Sequence, residues 1–328
     1  MLYTRRDLGK LALAAVPAAT GFGAVNSNFG GVQLGAITYS FRGMSKLDEI
    51  IQAMVRIGLG EVELMSNHAE ADAGAPSSGF GPPGGGRGPA RPGGGPPSAD
   101  QQAAMRARRN SPEAQKAREE LRQWRLSVSI DKFKAVRKKF DNAGIDLRLL
   151  CFNMNESITD DEIDYAFQVD KALGARAISS TTQVSVARRV APFADKHRLM
   201  IGFHNHANIK DPNEFATPES FAAAMSFSRY HGVNLDIGHF TAADFDAVAY
   251  IREHHGRITN LHLKDRKKNQ GPNTPWGQGD APIREVLQLM KKEKYAFPAN
   301  IEYEYRIEGA DTVAEMTKCF QYCKEALA

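Results

Sequence analysis

Met200-Ile201-Gly202-Phe203-His204-Asn205-His206, then Gly232-Val233-Asn234-Leu235-Asp236, then Ile258-Thr259-Asn260-Leu261-His262-Leu263-Lys264: these three runs decide how the chain is read. Each is largely apolar and closes on ionisable side chains. They recur at roughly the 30-residue interval that a strand, a helix and the return to a parallel strand require. A run that is apolar at nearly every position has both faces covered, which is the condition of a strand in a parallel sheet packed under helices.

Outward from these runs the same unit recurs in both directions. Strands are expected at Val32–Thr38, Gly60–Met65, Asp146–Phe152, Ala175–Thr181, Met200–His206, Gly232–Asp236, Ile258–Lys264 and Ala299–Glu304. Helices fill the intervals. Ser45 and Asp48 read as a capping box ahead of an apolar stripe of Leu47, Ile50, Ile51, Met54 and Val55. Thr159 and Glu162 read as a second box, while Gly144 and Gly174 read as helix stops. Eight such units favour a closed (β/α)8 TIM barrel, an α/β fold, over an open doubly wound sheet. The first strand runs into Tyr39-Ser40-Phe41-Arg42, without the closely spaced glycines of a dinucleotide-binding turn.

Two segments fall outside the repeating unit. Gly74 to Pro97 holds 17 Gly or Pro in 24 residues. No packed core forms from that composition, so a disordered Gly/Pro-rich insertion is expected after the second strand, followed by a charged helix from about Ser98 to Trp124; the whole departure covers 71–126. Its readings are a tolerated surface insertion, a mobile lid, or a docking arm carrying Arg106, Arg108 and Arg109. At the other exception, Thr4-Arg5-Arg6-Asp7-Leu8-Gly9-Lys10 precedes a short alanine-rich run. Residues 1–24 therefore read as a twin-arginine export signal, and the product is expected in the periplasm or otherwise exported. The barrel is assigned to 32–328.

The net charge of +4 is too small and too scattered for nucleic acid, and no stretch has the ~20 apolar residues of a membrane span. Cys151, Cys319 and Cys323 fall on apolar positions and read as core thiols. Further copies of the chain are an open question as partners.

The chemistry concentrates at four successive strand ends. His204, Asp236, His262 and Glu302 each close one unit, and equivalent positions in a barrel converge above the core. Two imidazoles and two carboxylates make a mixed N/O set suited to Mn, Zn, Co, Fe or Mg. His206 is the alternative ligand from the fifth strand. Around this set, Glu63, His239, Glu304 and Lys264 are candidate general bases, with Glu63 preferred because the second strand faces the site across the barrel. The competing reading of Glu63 is a surface glutamate beside Glu61, and that of Lys264 is a structural pair with Asp265. Trp276 is a candidate to stack on a sugar face, or else a pin for its own loop. His206 and Glu304 are further substrate contacts.

The runs Phe203-His204-Asn205-His206, Leu235-Asp236-Ile237-Gly238-His239, His262-Leu263-Lys264-Asp265 and Ile301-Glu302-Tyr303-Glu304, with Glu61-Val62-Glu63-Leu64, resemble the xylose isomerase-like barrel superfamily. Its members are often described as sugar phosphate isomerases/epimerases. The resemblance runs from about Val32 to the C-terminus outside the insertion. It implies metal ligands at Asp236, His262 and Glu302, with Glu302 also in a catalytic role. A fourth ligand is expected at the fifth strand, where the family usually has Glu and this chain has His204. It further implies an enediolate mechanism on a sugar or keto-polyol. The endonuclease IV branch carries additional histidines that this chain lacks around Cys151 and Asp265, which argues against DNA as substrate. Three functions follow: an isomerase or epimerase of a non-phosphorylated sugar; a lyase, hydrolase or inosose dehydratase-like enzyme working through the same site; or a non-catalytic carbohydrate-binding barrel.

Overall fold

The computed structural model describes residues 24–76, 104, 107 and 111–328. Residues 1–23 of the segment read as an export signal, the glycine-rich run beyond Pro76, and Arg106, Arg108 and Arg109 lie outside the described residues. A two-residue strand β1 (Asn28–Phe29) folds back antiparallel onto β2 (Val32–Ile37). The remaining elements follow as α1 (Leu47–Ile57), β3 (Glu61–Met65), α2 (Ser66–Asp72), α3 (Pro112–Ser127), α4 (Asp131–Ala143), β4 (Asp146–Cys151), α5 (Asp160–Leu173), β5 (Ala177–Ser180) and α6 (Val184–His197). They continue with β6 (Met200–His204), α7 (Pro218–Met225), β7 (His231–Asp236), α8 (Ile237–Ala242), α9 (Ala247–His254), β8 (Ile258–Leu263), α10 (Ile283–Glu293), β9 (Ala299–Ile301) and α11 (Thr312–Leu327).

Strands β2 to β9 pair in parallel in chain order, and β2 closes onto β9. This is the (β/α)8 barrel. Outward-facing strand residues such as Val62, Leu235 and Leu261 pack with helix residues such as Ile50, Phe140 and Phe167 in one continuous apolar layer.

Inside the barrel the filling is polar. Glu61, Glu63, Ser179, Asn234, Asn260 and Asn300 are all buried. Asn300 donates to Glu61 (2.5 Å), and Asn260 donates to both Glu63 (2.8 Å) and Asn300 (3.4 Å). Glycine at position 35 makes this floor possible, because a Cβ there would lie 1.6 Å from Glu61 Oε2. Glu63 is therefore no surface glutamate; it faces inward on the same side of β3 as Glu61, two residues on.

Helix ends are mostly as expected. Thr159 and Glu162 form a reciprocal capping box, and Gly144 and Gly174 end α4 and α5 in the left-handed conformation. The Ser45–Asp48 box does not form: α1 is preceded by an extended Lys46 with no side-chain cap, and Asp48 instead pairs with Lys139 (3.1 Å). The helix is held chiefly by its buried apolar face.

The two ends of the insertion are fastened to the barrel. It leaves through α2 and returns through α3, where Arg125 holds Glu70 of α2 at 2.8 Å and Glu162 of α5 at 3.0 Å. Phe152 lies under the Arg125 guanidinium at 4.9 Å. Among the described residues no helix is long and apolar enough to cross a membrane.

Candidate functional site

The strand ends at the C-terminal mouth carry the ionisable cluster. His204 closes β6 and Asp236 closes β7, and Asn205 locks the two ends together. Its side chain accepts from Asp236 N (2.9 Å) and donates to Asp236 O (3.2 Å). Asp236 Oδ1 in turn accepts from the backbone N–H of His239 (2.6 Å), capping α8 and leaving Oδ2 directed into the barrel mouth. Residues Asp236 and His262 are register partners across β7 and β8. Glu302 follows β9, its backbone N–H bonded to Leu263 O at 3.0 Å.

One ligand atom each from His204, Asp236, His262 and Glu302 lie within 4.8 Å of one another, and all four residues are buried. His262 is fixed from both sides: Nε2 lies 2.6 Å from Glu63 Oε2 and Nδ1 lies 2.9 Å from Glu302 Oε2. The Glu63 carboxylate is itself held by Asn260 and by the Ser179 hydroxyl, which donates to Oε1. Burial works against a charge on His262, yet Glu63 and Glu302 bring its pKa up to about 10. His204 is the opposite case. Burial, then the neighbouring His262, holds it neutral, and its Nδ1 is buried without a hydrogen-bond partner.

Lys264 reaches into the same cluster. Its Nζ lies 2.9 Å from Asp236 Oδ2, Glu302 Oε2 and Glu304 Oε2, and 3.0 Å from His239 Nε2. Burial opposes its charge, but Asp236, Glu302 and Glu304 outweigh it and raise its pKa. Lys264 thus has three carboxylate neighbours, none of them Asp265. Asp265 instead accepts backbone N–H bonds from Gly277 (2.8 Å), Gly279 (2.9 Å) and Ala281 (3.3 Å), organising the loop ahead of α10. In that loop the Trp276 ring meets Tyr322 of α11 edge-on at 5.9 Å, against the helical layer.

His204, His206 and His239 form a second group of close ligand atoms. His206 Nδ1 lies 2.9 Å from Glu214 Oε1. His239 has Arg266 Nη1 at 2.5 Å from Nδ1 and the Lys264 ammonium beside Nε2; two cationic donors make this ring a poor seat for another cation. Burial, then Lys264, keeps His239 neutral. A cavity of about 530 Å³, lined by Arg148, Arg176, Tyr295 and Phe297 among others, opens instead where the strands begin; none of the cluster residues lines it.

Sequence reading missed Glu214, Asn205, Asn260, Ser179 and Arg266. Asn260 had a legible signal: Asn234, Asn260 and Asn300 each stand two residues before a proposed ligand, hence on the same strand face one layer lower. Glu214 and Arg266 lie in loops, where no periodicity points anywhere.

The family model described as xylose isomerase-like TIM barrel matches residues 122–323. Among curated proteins, an L-ribulose-5-phosphate 3-epimerase, UlaE, of Escherichia coli O1:K1 is 25% identical over 120 residues, covering 35% of this chain and 42% of the relative. The chain thus spans well under half the length of that relative. Among solved structures, a sugar phosphate isomerase/epimerase from Parabacteroides distasonis superposes with a TM-score of 0.57 at 14% identity, covering 94% of this chain and 99% of its own. A xylose isomerase domain protein from Planctomyces limnophilus gives 0.57 at 10% identity, with 92% and 98% coverage. These structural likenesses concern the fold.

Proposed function

This chain belongs to the xylose isomerase-like TIM barrel family, and from that premise we propose that it is a metal-dependent isomerase or epimerase of a non-phosphorylated sugar or keto-polyol. The observation that carries the reading is the buried quartet His204, Asp236, His262 and Glu302, with ligand atoms within 4.8 Å of one another.

Two features of the donor set fit a divalent cation. The buried Nδ1 of His204 has no partner, and such a group costs free energy unless something coordinates it. The carboxylates of Asp236, Glu302 and Glu304 converge on the Lys264 ammonium, an anionic surround that suits a cation. His204, Asp236, His262 through Nδ1, and Glu302 would hold it. When bound, such an ion supplies Lewis acidity toward a substrate carbonyl and its neighbouring hydroxyl, which acidifies the carbon-bound hydrogen between them. Placement outside the cytoplasm, the expectation from Arg5-Arg6, is part of the same proposal.

The chain's own groups divide the remaining work. His206 is the general base. Glu214 is an acceptor, so the proton of the neutral His206 ring resides on Nδ1 and Nε2 is left unprotonated. Half-buried His206 stands beside His204 and His239, at ring separations of 5.2 Å to each. Glu63 is a positioning residue for His262 and is wholly engaged below the ligand layer. Lys264 stays protonated among its three carboxylates and supplies charge rather than basicity.

The imidazole of His204, where the resembling family usually carries a carboxylate, removes one of two symmetric acid–base groups. This favours elimination as the second reading, a lyase acting on a keto-glycoside or keto-polyol. Incubation with ketoses and keto-polyols in D₂O tests both. Carbon-bound deuterium in an isomeric product supports isomerisation or epimerisation, and loss of water or of an aglycone supports the lyase. No chelator-sensitive exchange with any of these substrates overturns both.

A further inference from the structure

Lys264 makes contacts that a bystander would not. Its side chain is 2% exposed, and its ammonium lies 2.9 Å from Asp236 Oδ2 and from Glu302 Oε2, two of the four proposed metal donors. It also lies 2.9 Å from Glu304 Oε2, on a side chain that is 23% exposed and outside the donor set. An ammonium and a divalent ion compete for the space between the same two carboxylates, because each neutralises them and the two cations repel. Glu304 and His239 offer the ammonium another place to rest without leaving the barrel.

We infer that Lys264 is a built-in counter-ion of the metal donors, which an incoming cation displaces towards Glu304, so that this one side chain limits how tightly the site holds its metal. The inference rests on the metal-site reading above. In the metal-free protein the ammonium keeps Asp236 and Glu302 from repelling each other and holds the donors assembled. Metal entry must then detach it, and the displaced charge remains beside the bound ion. Affinity is lowered on both counts, in exchange for a preformed site.

Methionine matches the stem of lysine without its charge, so the test is Co²⁺ affinity of the full chain, stripped of metal and titrated against a chromophoric chelator. Lys264→Met is expected to bind Co²⁺ about 10- to 100-fold more tightly than the wild type. Glu304→Gln is expected to weaken binding in the wild-type background and to have much less effect in the Lys264→Met background, since there is no ammonium left to receive. Wild type that binds Co²⁺ together with a Lys264→Met chain that binds it equally or more weakly overturns the inference and leaves the metal site standing. Binding by neither chain overturns the metal site as well. Circular dichroism of each variant, and the Glu304→Gln chain as a second, milder change, guard against mistaking misfolding for lost affinity.

Discussion

Replacing Glu63 by Gln separates two roles that this residue can have. In the structure Glu63 Oε2 lies 2.6 Å from His262 Nε2 and 2.8 Å from Asn260 Nδ2, while Oε1 accepts from Ser179. Gln has nearly the same shape and retains one oxygen for His262, so the ring keeps an acceptor. What it loses is the charge, and charge-assisted hydrogen bonds are roughly twice as strong as neutral ones. The amide also turns a donor toward Asn234 Nδ2, which now lies 3.5 Å from Oε1. Partners that orient a metal-binding imidazole are typically worth about 10- to 100-fold in metal affinity, or roughly 1.4–2.7 kcal/mol. Glu63→Gln is therefore expected to weaken Co²⁺ or Zn²⁺ binding by that factor in a chelator-competition titration, with most of the turnover recovered at saturating metal. Were Glu63 the base that takes the substrate proton, the substitution would instead leave metal affinity unchanged and lower turnover by about 10²- to 10⁴-fold at any metal concentration. That pattern would refute the positioning role.

The other expectations follow from single contacts. Glu214→Ala removes the acceptor that orients His206; kcat should fall by about 10²-fold or more with metal content unchanged, and an unchanged kcat would refute the orienting role of Glu214. Arg125→Met breaks a buried network shared by Glu70 and Glu162; Glu162 keeps Arg122 at 3.1 Å, but leaving Glu70 buried without its cation should cost about 3 kcal/mol in chemical denaturation, whereas a loss under 1 kcal/mol would show that α3 is not anchored there. Asp170 on α5 is buried with neither oxygen hydrogen-bonded, and burial pushes its pKa up to about 8 from 3.8. The folded state therefore keeps the proton that the unfolded chain releases, so stability is full below about pH 4 and declines as pH rises towards 8. Four pH units correspond to at most about 5 kcal/mol, so Asp170→Asn should leave stability unchanged near pH 4 and raise it by a few kcal/mol at pH 8; equal effects at both would contradict this.

Much of the fold could be read from the chain because the barrel strands are short apolar runs set apart by helices with ordinary ends. β6 and β8 were expected one or two residues longer than they are, since His206 and Lys264 follow on from the strand without a break in polarity pattern. The quartet was legible for the same reason: one unit apart on four successive strands, its members had to meet if the barrel closed. The contacts of Glu63 and Lys264 were less legible. The second strand was expected to face the site, but not Glu63 to meet the ring of His262, 199 residues away in sequence. Lys264 read either as a general base or as a partner of its neighbour Asp265, because adjacency is visible in a sequence, whereas the convergence of Asp236, Glu302 and Glu304 on one ammonium is a property of the closed barrel. Trp276 read as either a sugar platform or a pin for its loop, and its packing against Tyr322 depends on where α11 returns to the barrel. The failed Ser45–Asp48 cap shows that spacing can be right while a surface lysine draws the acid elsewhere.

Elemental analysis of the purified wild type beside Asp236→Ala and His262→Ala bears most directly on the reading of the barrel mouth. The account predicts about one divalent ion per wild-type chain and its loss from both variants, with the barrel still folded by circular dichroism. Equal metal content in all three proteins would contradict it.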